Sequence, residues 1–119
     1  MIVAGFGFRE GAGLASLEAA FAQHGVVAVD ALAAPEDKIA LLAPLARAMD
    51  VPLLAIARDA LQSVTTQSHS PASLRAYGVG SVAEAAALAA AGPRAVLLHS
   101  RCISPDRMAT CAIAQGFVP

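Results

Sequence analysis

The sequence has no tryptophan, one tyrosine and four phenylalanines in 119 residues, so aromatic side chains make up only 4% of it. A core with so few rings has to be packed from aliphatic and small side chains, alanine above all. Charge is also scarce: 14% of residues are Asp, Glu, Lys or Arg, and the formal net charge is -1. With no basic stripe and no interleaving of aromatic and basic residues, nucleic acid is excluded as an expected partner. Two cysteines, Cys102 and Cys111, are too few for a disulfide framework. Both are expected to be reduced thiols in the cytoplasm, where the chain is expected to reside. The histidines His24, His69 and His99 are scattered. His99 and Cys102 offer two candidate ligands at a strand end without a partner cluster, so no metal is expected, and no cofactor either. Met1 runs straight into Ile2-Val3-Ala4 with no basic n-region, so no signal peptide is expected. No apolar run approaches the roughly 20 residues of a membrane span; Glu18, Asp30, Glu84 and Arg94 interrupt the candidates. No membrane partner is expected.

What remains is rich in apolar residues, at 57%. That is far from the composition of a disordered chain, and the length fits a single domain over residues 1–119 with a core of its own. Ile2 to Phe6 is a short apolar run that reads as a buried strand, followed by a Gly-rich turn over residues 7–13. Leu14, Leu17, Glu18 and Phe21 have helical spacing, and Gly25 stops them. Val26 to Val29 reads as a second strand. Pro35-Glu36-Asp37 suits the first turn of a second helix, with Ile39, Leu42, Leu45, Ala46 and Met49 on one face and Pro44 kinking or splitting it. Leu53 to Ala57 reads as a third strand, Asp59 to Gln62 as a short helical turn, residues 63–71 as an exposed polar loop, and Ser73 to Tyr77 as another turn. Ser81 to Ala91 is a helix closed by Gly92-Pro93. Ala95 to His99 is a fourth strand, and Met108 to Ala114 a last one that follows through a short turn and pairs antiparallel. Alternation of strands and helices predicts an α/β three-layer sandwich: a mainly parallel sheet of about five strands with helices on both faces.

Several segments carry a likeness in a fixed order: Gly5-Phe6-Gly7-Phe8-Arg9, Asp37-Lys38, Thr66-Gln67-Ser68, Gly78 to Leu88, and Ala109 to Ala114. In this order and spacing, over nearly the whole chain, the sequence resembles the CobE / CbiG C-terminal family of cobalamin biosynthesis. The resemblance implies a role in building the corrin ring, with a precorrin or corrinoid intermediate as partner. CbiG-type proteins are associated with opening the lactone of a cobalt-precorrin and releasing acetaldehyde, but they carry N-terminal sequence that this chain lacks. Whether the chain is an enzyme is therefore left open.

Physically, a glycine-opened helix start offers free backbone amides to an anion, and an arginine adds a bidentate donor for a carboxylate. The expected ligand residues are Gly5, Gly7, Phe8 and Arg9 at the first turn, Asp37 and Lys38 at the second helix, Thr66 and Ser68 in the polar loop, and Gly80, Ser81 and Glu84 at the last helix. Each has a plainer alternative: a tight turn for the glycines, a solvated pair for Asp37 and Lys38, an ordinary loop for Thr66 and Ser68, and a capping box for Ser81 and Glu84. A dinucleotide site is the weaker rival, because Gly5 and Gly7 are followed by Glu10 in the third glycine position, although Asp30 would sit where a ribose-binding acid lies. Glu36, Asp37 or Glu84 could serve as a base, and Phe6, Phe8 or Tyr77 as apolar surface for a macrocycle. A groove between two copies, a homodimer, would supply more. The alternative function is a non-catalytic interaction module that supports other cobalamin-pathway enzymes.

Overall fold

The computed structural model describes residues 1–25 and 28–117. Five strands form one sheet in the order β3-β2-β1-β5-β4: β1 (Ile2–Phe8), β2 (Ala31–Pro35), β3 (Leu53–Ile56), β4 (Val96–Ile103) and β5 (Ala109–Gln115). The pairs β1/β2 and β2/β3 are parallel, while β5 runs antiparallel to both β1 and β4. Four strands therefore point one way, and the reversed β5 is wedged between two of them. Helices α1 (Leu14–Ala22) and α2 (Ala43–Met49) cover one face; α3 (Arg58–Gln62), α4 (Pro71–Tyr77) and α5 (Val82–Ala91) cover the other. This is the expected three-layer α/β sandwich.

The two faces follow from the pleat of β1, whose residues alternate sides. Ala4, Phe6 and Phe8 pack with Leu17, Ala20, Leu42 and Leu45. Val3 packs with Val82, Ala85 and Ala86 of the opposite layer. Gly5 and Gly7 share the side of Val3. A Cβ on Gly5 would lie 2.2 Å from the Ala83 carbonyl oxygen and 2.4 Å from the Ala87 nitrogen. Thus α5, made almost wholly of alanine, presses its backbone against β1. The strand runs on to Phe8 rather than stopping at Phe6, so Gly7, expected to open the turn, lies in the strand as Gly5 does. Here the glycine pair permits close approach of a helix.

The second strand also lies elsewhere than expected. Val26 and Val27 fall outside the described residues, Ala28 and Val29 are not in a strand, and β2 is Ala31–Pro35, every residue of it buried. Asp30 fixes its start: the Asp30 amide donates to the Ile2 carbonyl at 2.7 Å, and Asp30 Oδ2 accepts from the Ile2 amide at 2.7 Å. Pro35 therefore ends a strand rather than opening a helix. The helical pattern after it splits at Pro44 into a 3-10 turn, Ile39–Leu42, and α2, with Pro44 in the first turn, where its missing N–H costs nothing. Ser70 and Ser81 cap α4 and α5, accepting from the amides of Ser73 and Glu84 at 3.4 and 3.2 Å. β4 continues past His99 to Ile103, with irregular register between Leu97 and Cys102.

Candidate functional site

At the carboxyl ends of β1 and β4 the structure opens a cleft of about 370 Å³. Its position follows from the topology. The connections around α1 and α2 lie on one face and the segment carrying α3 to α5 on the other, so the covering layers part at this edge, where open α/β sheets bind ligands. Arg9 enters from the end of β1, Lys38 from the loop after β2, Arg101 from β4, and Arg107 from the β4–β5 turn. Half of the chain's eight Lys and Arg residues thus meet at one cleft in a protein of net charge -1. Among the described residues no Asp or Glu lines it. Phe8, Tyr77, Val82, Ile103 and Met108 give it apolar walls.

The cations are held in different ways. Lys38 Nζ donates to the Phe8 carbonyl at 2.7 Å and lies 5.6 Å from the Phe8 ring and 5.8 Å from the Tyr77 ring, so it closes the end of β1 as well as facing the cleft. Arg107 sits at φ 60 in the hairpin turn. That turn is fastened by Asp106, which accepts from the Ser104 and Ser16 hydroxyls, each at 2.5 Å, and from the Met108 amide at 3.1 Å. Those bonds hold the Asp106 carboxyl below its ordinary range. Among the described residues the guanidinium groups of Arg9, Arg101 and Arg107 make no hydrogen bond to protein.

Behind the cleft lies a buried carboxylate that sequence reading treats as a cap or a ligand group. Glu84 is fully buried, and its oxygens accept from the amides of Gln67 (2.9 Å), Ser68 (2.8 Å) and Arg101 (3.0 Å) and from the Ser68 hydroxyl (2.7 Å). Burial alone would raise its pKa; the bonds from Arg101, Ser68 and Gln67 outweigh it and leave the group below its ordinary value. The capping box is therefore half formed: Ser81 caps α5, while the Glu84 side chain turns away to tie the polar loop to β4. Gly80 serves the same junction, since a Cβ there would lie 2.5 Å from the Ser68 carbonyl oxygen and 2.7 Å from Thr66 Oγ1.

Beside the cleft, a smaller pocket of about 220 Å³ contains Asp37 and Arg58 and shares Tyr77 with it. The Tyr77 hydroxyl donates to both Asp37 oxygens, at 3.0 and 2.9 Å, and the Arg58 guanidinium lies 5.1 Å from the ring. Burial, then the bond and charge of Asp37, push the phenol up to about 12.

Of the expected ligand residues, Gly7, Phe8, Arg9, Lys38 and Ser81 line the cleft. Asp37 lies in the adjoining pocket. Gly5, Thr66, Ser68, Gly80 and Glu84 line neither and build the surrounding scaffold. Neither Glu36 nor Asp37 nor Glu84, the three candidate bases, lines the cleft. Asp30 lies at the opposite, amino end of β2, which removes the acid the dinucleotide reading needed. Sequence reading missed Arg101, Arg107 and His69. The signal available was a basic residue at or just beyond three strand ends, at Arg9, Arg101 and Arg107. No cluster of His, Cys, Asp and Glu suited to a metal ion occurs among the described residues, and no helix of the described residues is long and apolar enough to cross a membrane.

Comparison with known proteins gives a consistent picture. The family model described as "Cobalamin synthesis G C-terminus" matches residues 2–114. The crystal structure of CobE, a protein from the cobalamin (vitamin B12) biosynthetic pathway, is similar with a TM-score of 0.83 and 33% identity, covering 100% of this chain and 92% of that one. The cobalamin biosynthesis protein chiG from Agrobacterium tumefaciens str. C58 is similar with a TM-score of 0.71 and 32% identity, covering 99% of this chain and 100% of that one. A homolog of cobalamin biosynthesis protein G from Sulfolobus solfataricus, 14% identical, shares the fold alone over 95% of this chain and 36% of that one, with a TM-score of 0.68. A search of curated proteins finds no significant match.

Proposed function

The chain belongs to the cobalamin synthesis G C-terminal family, and from that premise we propose that it binds an acidic precorrin or corrinoid intermediate by its carboxylate side arms. It is a protein of the cobalamin biosynthesis pathway. The observation that carries the proposal is the convergence of Arg9, Lys38, Arg101 and Arg107 on a cleft with apolar walls and no lining carboxylate among the described residues. Corrin precursors carry several acetate and propionate arms, and arginine matches a carboxylate bidentately.

Magnitudes favour a mixed mode of binding. A hydrogen bond to a charged group contributes roughly 1.5–3 kcal/mol, so three would give about 4.5–9 kcal/mol before the cost of association. Micromolar affinity needs about 8 kcal/mol net. The apolar walls at Phe8, Ile103 and Met108 supply the remainder by covering one edge of the ring. The basic and apolar lining supports binding and presentation of the intermediate, in a cytoplasmic setting.

The alternative, an interaction module that supports other pathway enzymes, has one observation in its favour. Edge strand β4 leaves Val96 and Leu98 46% and 42% exposed. Titration of the purified protein with cobyrinic acid, followed by visible absorption, separates the two. A shift that saturates at micromolar concentration, and is absent with the neutral methyl ester, supports carboxylate recognition. No shift, together with co-purification of another pathway enzyme, supports the module.

A further inference from the structure

Away from the cleft, on the sheet face that α1 covers, β4 and β5 place Cys102 directly across from Cys111. Directly opposed residues of an antiparallel pair point to the same face, with Cβ atoms about 4.5–5.5 Å apart. That spacing reaches the range a disulfide spans. Cys111 is fully buried; Cys102 is half-buried and reachable from solvent. His24, just beyond α1, contacts both strands: its Nε2 lies 2.6 Å from the Cys111 carbonyl oxygen and its Nδ1 lies 3.7 Å from Cys102 Sγ.

The carbonyl fixes the tautomer. An oxygen of that kind only accepts, so Nε2 carries the proton and Nδ1 presents its lone pair to the Cys102 thiol. Burial, the largest effect, and the charge of nearby His99 outweigh the Cys111 carbonyl and hold the imidazole below its ordinary value. The ring is therefore neutral and basic near pH 7. A nucleophile, a base and a group orienting that base thus stand in line, although the three residues are spread over much of the chain.

We propose that Cys102 and Cys111 are a reactive thiol pair, with Cys102 the attacking thiol, His24 its base and Cys111 the resolving thiol toward low-molecular-weight disulfides. In the first step the Cys102 proton passes to His24 Nδ1 and the thiolate attacks one sulfur of the disulfide. A Cys102 mixed disulfide forms, and the expelled thiolate takes the proton from His24. In the second step Cys111, as thiolate, attacks the Cys102 sulfur and expels the second small thiolate, which takes up the Cys111 proton. Two protein thiols are oxidised to one cross-strand disulfide, and the small disulfide is reduced to two thiols. Burial raises the Cys111 pKa and keeps the resolving thiol protonated until it attacks, which slows the second step.

The test is intact-mass analysis of the full chain during incubation with oxidised glutathione. The wild type should first gain one glutathionyl group, then lose it and settle two hydrogens below the reduced mass. Cys102→Ser should stay unmodified, and Cys111→Ser should stop at the adduct. His24→Gln should slow capture by about tenfold or more. A wild-type adduct that never resolves, or a Cys102 that reacts no faster in the native protein than in the urea-unfolded chain, overturns the proposal. The wild-type time course reads both steps by itself, so the proposal can fail or hold even where Cys111→Ser folds poorly.

Discussion

The backbone amide of Arg101 donates to Glu84 Oε2 at 3.0 Å, so an arginine of the cleft is positioned by a carboxylate that the cleft does not contain. The same carboxylate fixes Gln67 and Ser68 of the polar loop. Two chain segments therefore converge on one buried anion carried by a third. Glu84→Ala leaves three part-buried amides without their acceptor and should lower stability by about 1–3 kcal/mol, measured by urea unfolding. Glu84→Gln should rescue little, because its amide nitrogen turns a donor toward donors.

Acid should reveal the same group. The folded-state pKa of Glu84 is depressed below the ordinary 4.5. Its contribution is therefore fully present above that value and is lost as pH falls through the depressed folded value. Stability of the wild type should decline over that acid window, and Glu84→Gln, weaker at neutral pH, should show a shallower decline when urea midpoints are compared across pH.

Tyr77 is the single tyrosine of the chain, so phenolate absorption reports on it alone. With the pKa raised to about 12, ionisation should begin well above the ordinary 10. The neutral phenol favours the fold below pH 10, and that contribution is lost as pH rises toward 12. Asp37→Asn removes the acceptor charge and should bring the absorption midpoint down toward 10, without abolishing the effect of burial.

At Gly5 the space for a methyl group is already occupied by the Ala83 and Ala87 backbone. Gly5→Ala must push α5 off β1 and should destabilise the protein by about 1–3 kcal/mol or more. Gly25→Ala has nothing among the described residues within 4 Å of the added carbon; its cost, from φ +79, should be about 1 kcal/mol. Thermal melts of the two variants test the ordering.

In the cleft, Arg101→Ala and Arg107→Ala should each weaken cobyrinic acid binding by roughly ten- to a hundredfold, the equivalent of one charged hydrogen bond. Affinity should also fall with added salt. Arg94→Ala, at a residue that does not line the cleft, should leave affinity unchanged in the same titration.

Much of the fold was legible residue by residue. Gly25 stops α1, Pro44 splits the second helical pattern, Ser81 caps α5, and the short Ser104-Pro105-Asp106 turn makes the last strand antiparallel. The errors fell where two local signals conflict. Gly7 reads as the start of a turn by composition yet sits inside β1. Pro35 reads as a helix start, yet closes β2 because the strand had moved beyond Asp30. The site was legible only in part, with Arg9, Lys38 and Ser81 named and Arg101 and Arg107 missed.

The sequence by itself determined the alternation of elements, the layers and the family likeness, because caps, stops and apolar periodicity act over a few neighbouring residues. Only the tertiary structure decided which charges face one another. The four cations of the cleft come from four separate segments, and the partners of Glu84 lie 16 or 17 residues away from it. Their meeting depends on the sheet order and on how closely α5 lies against β1, and no short stretch of chain encodes either.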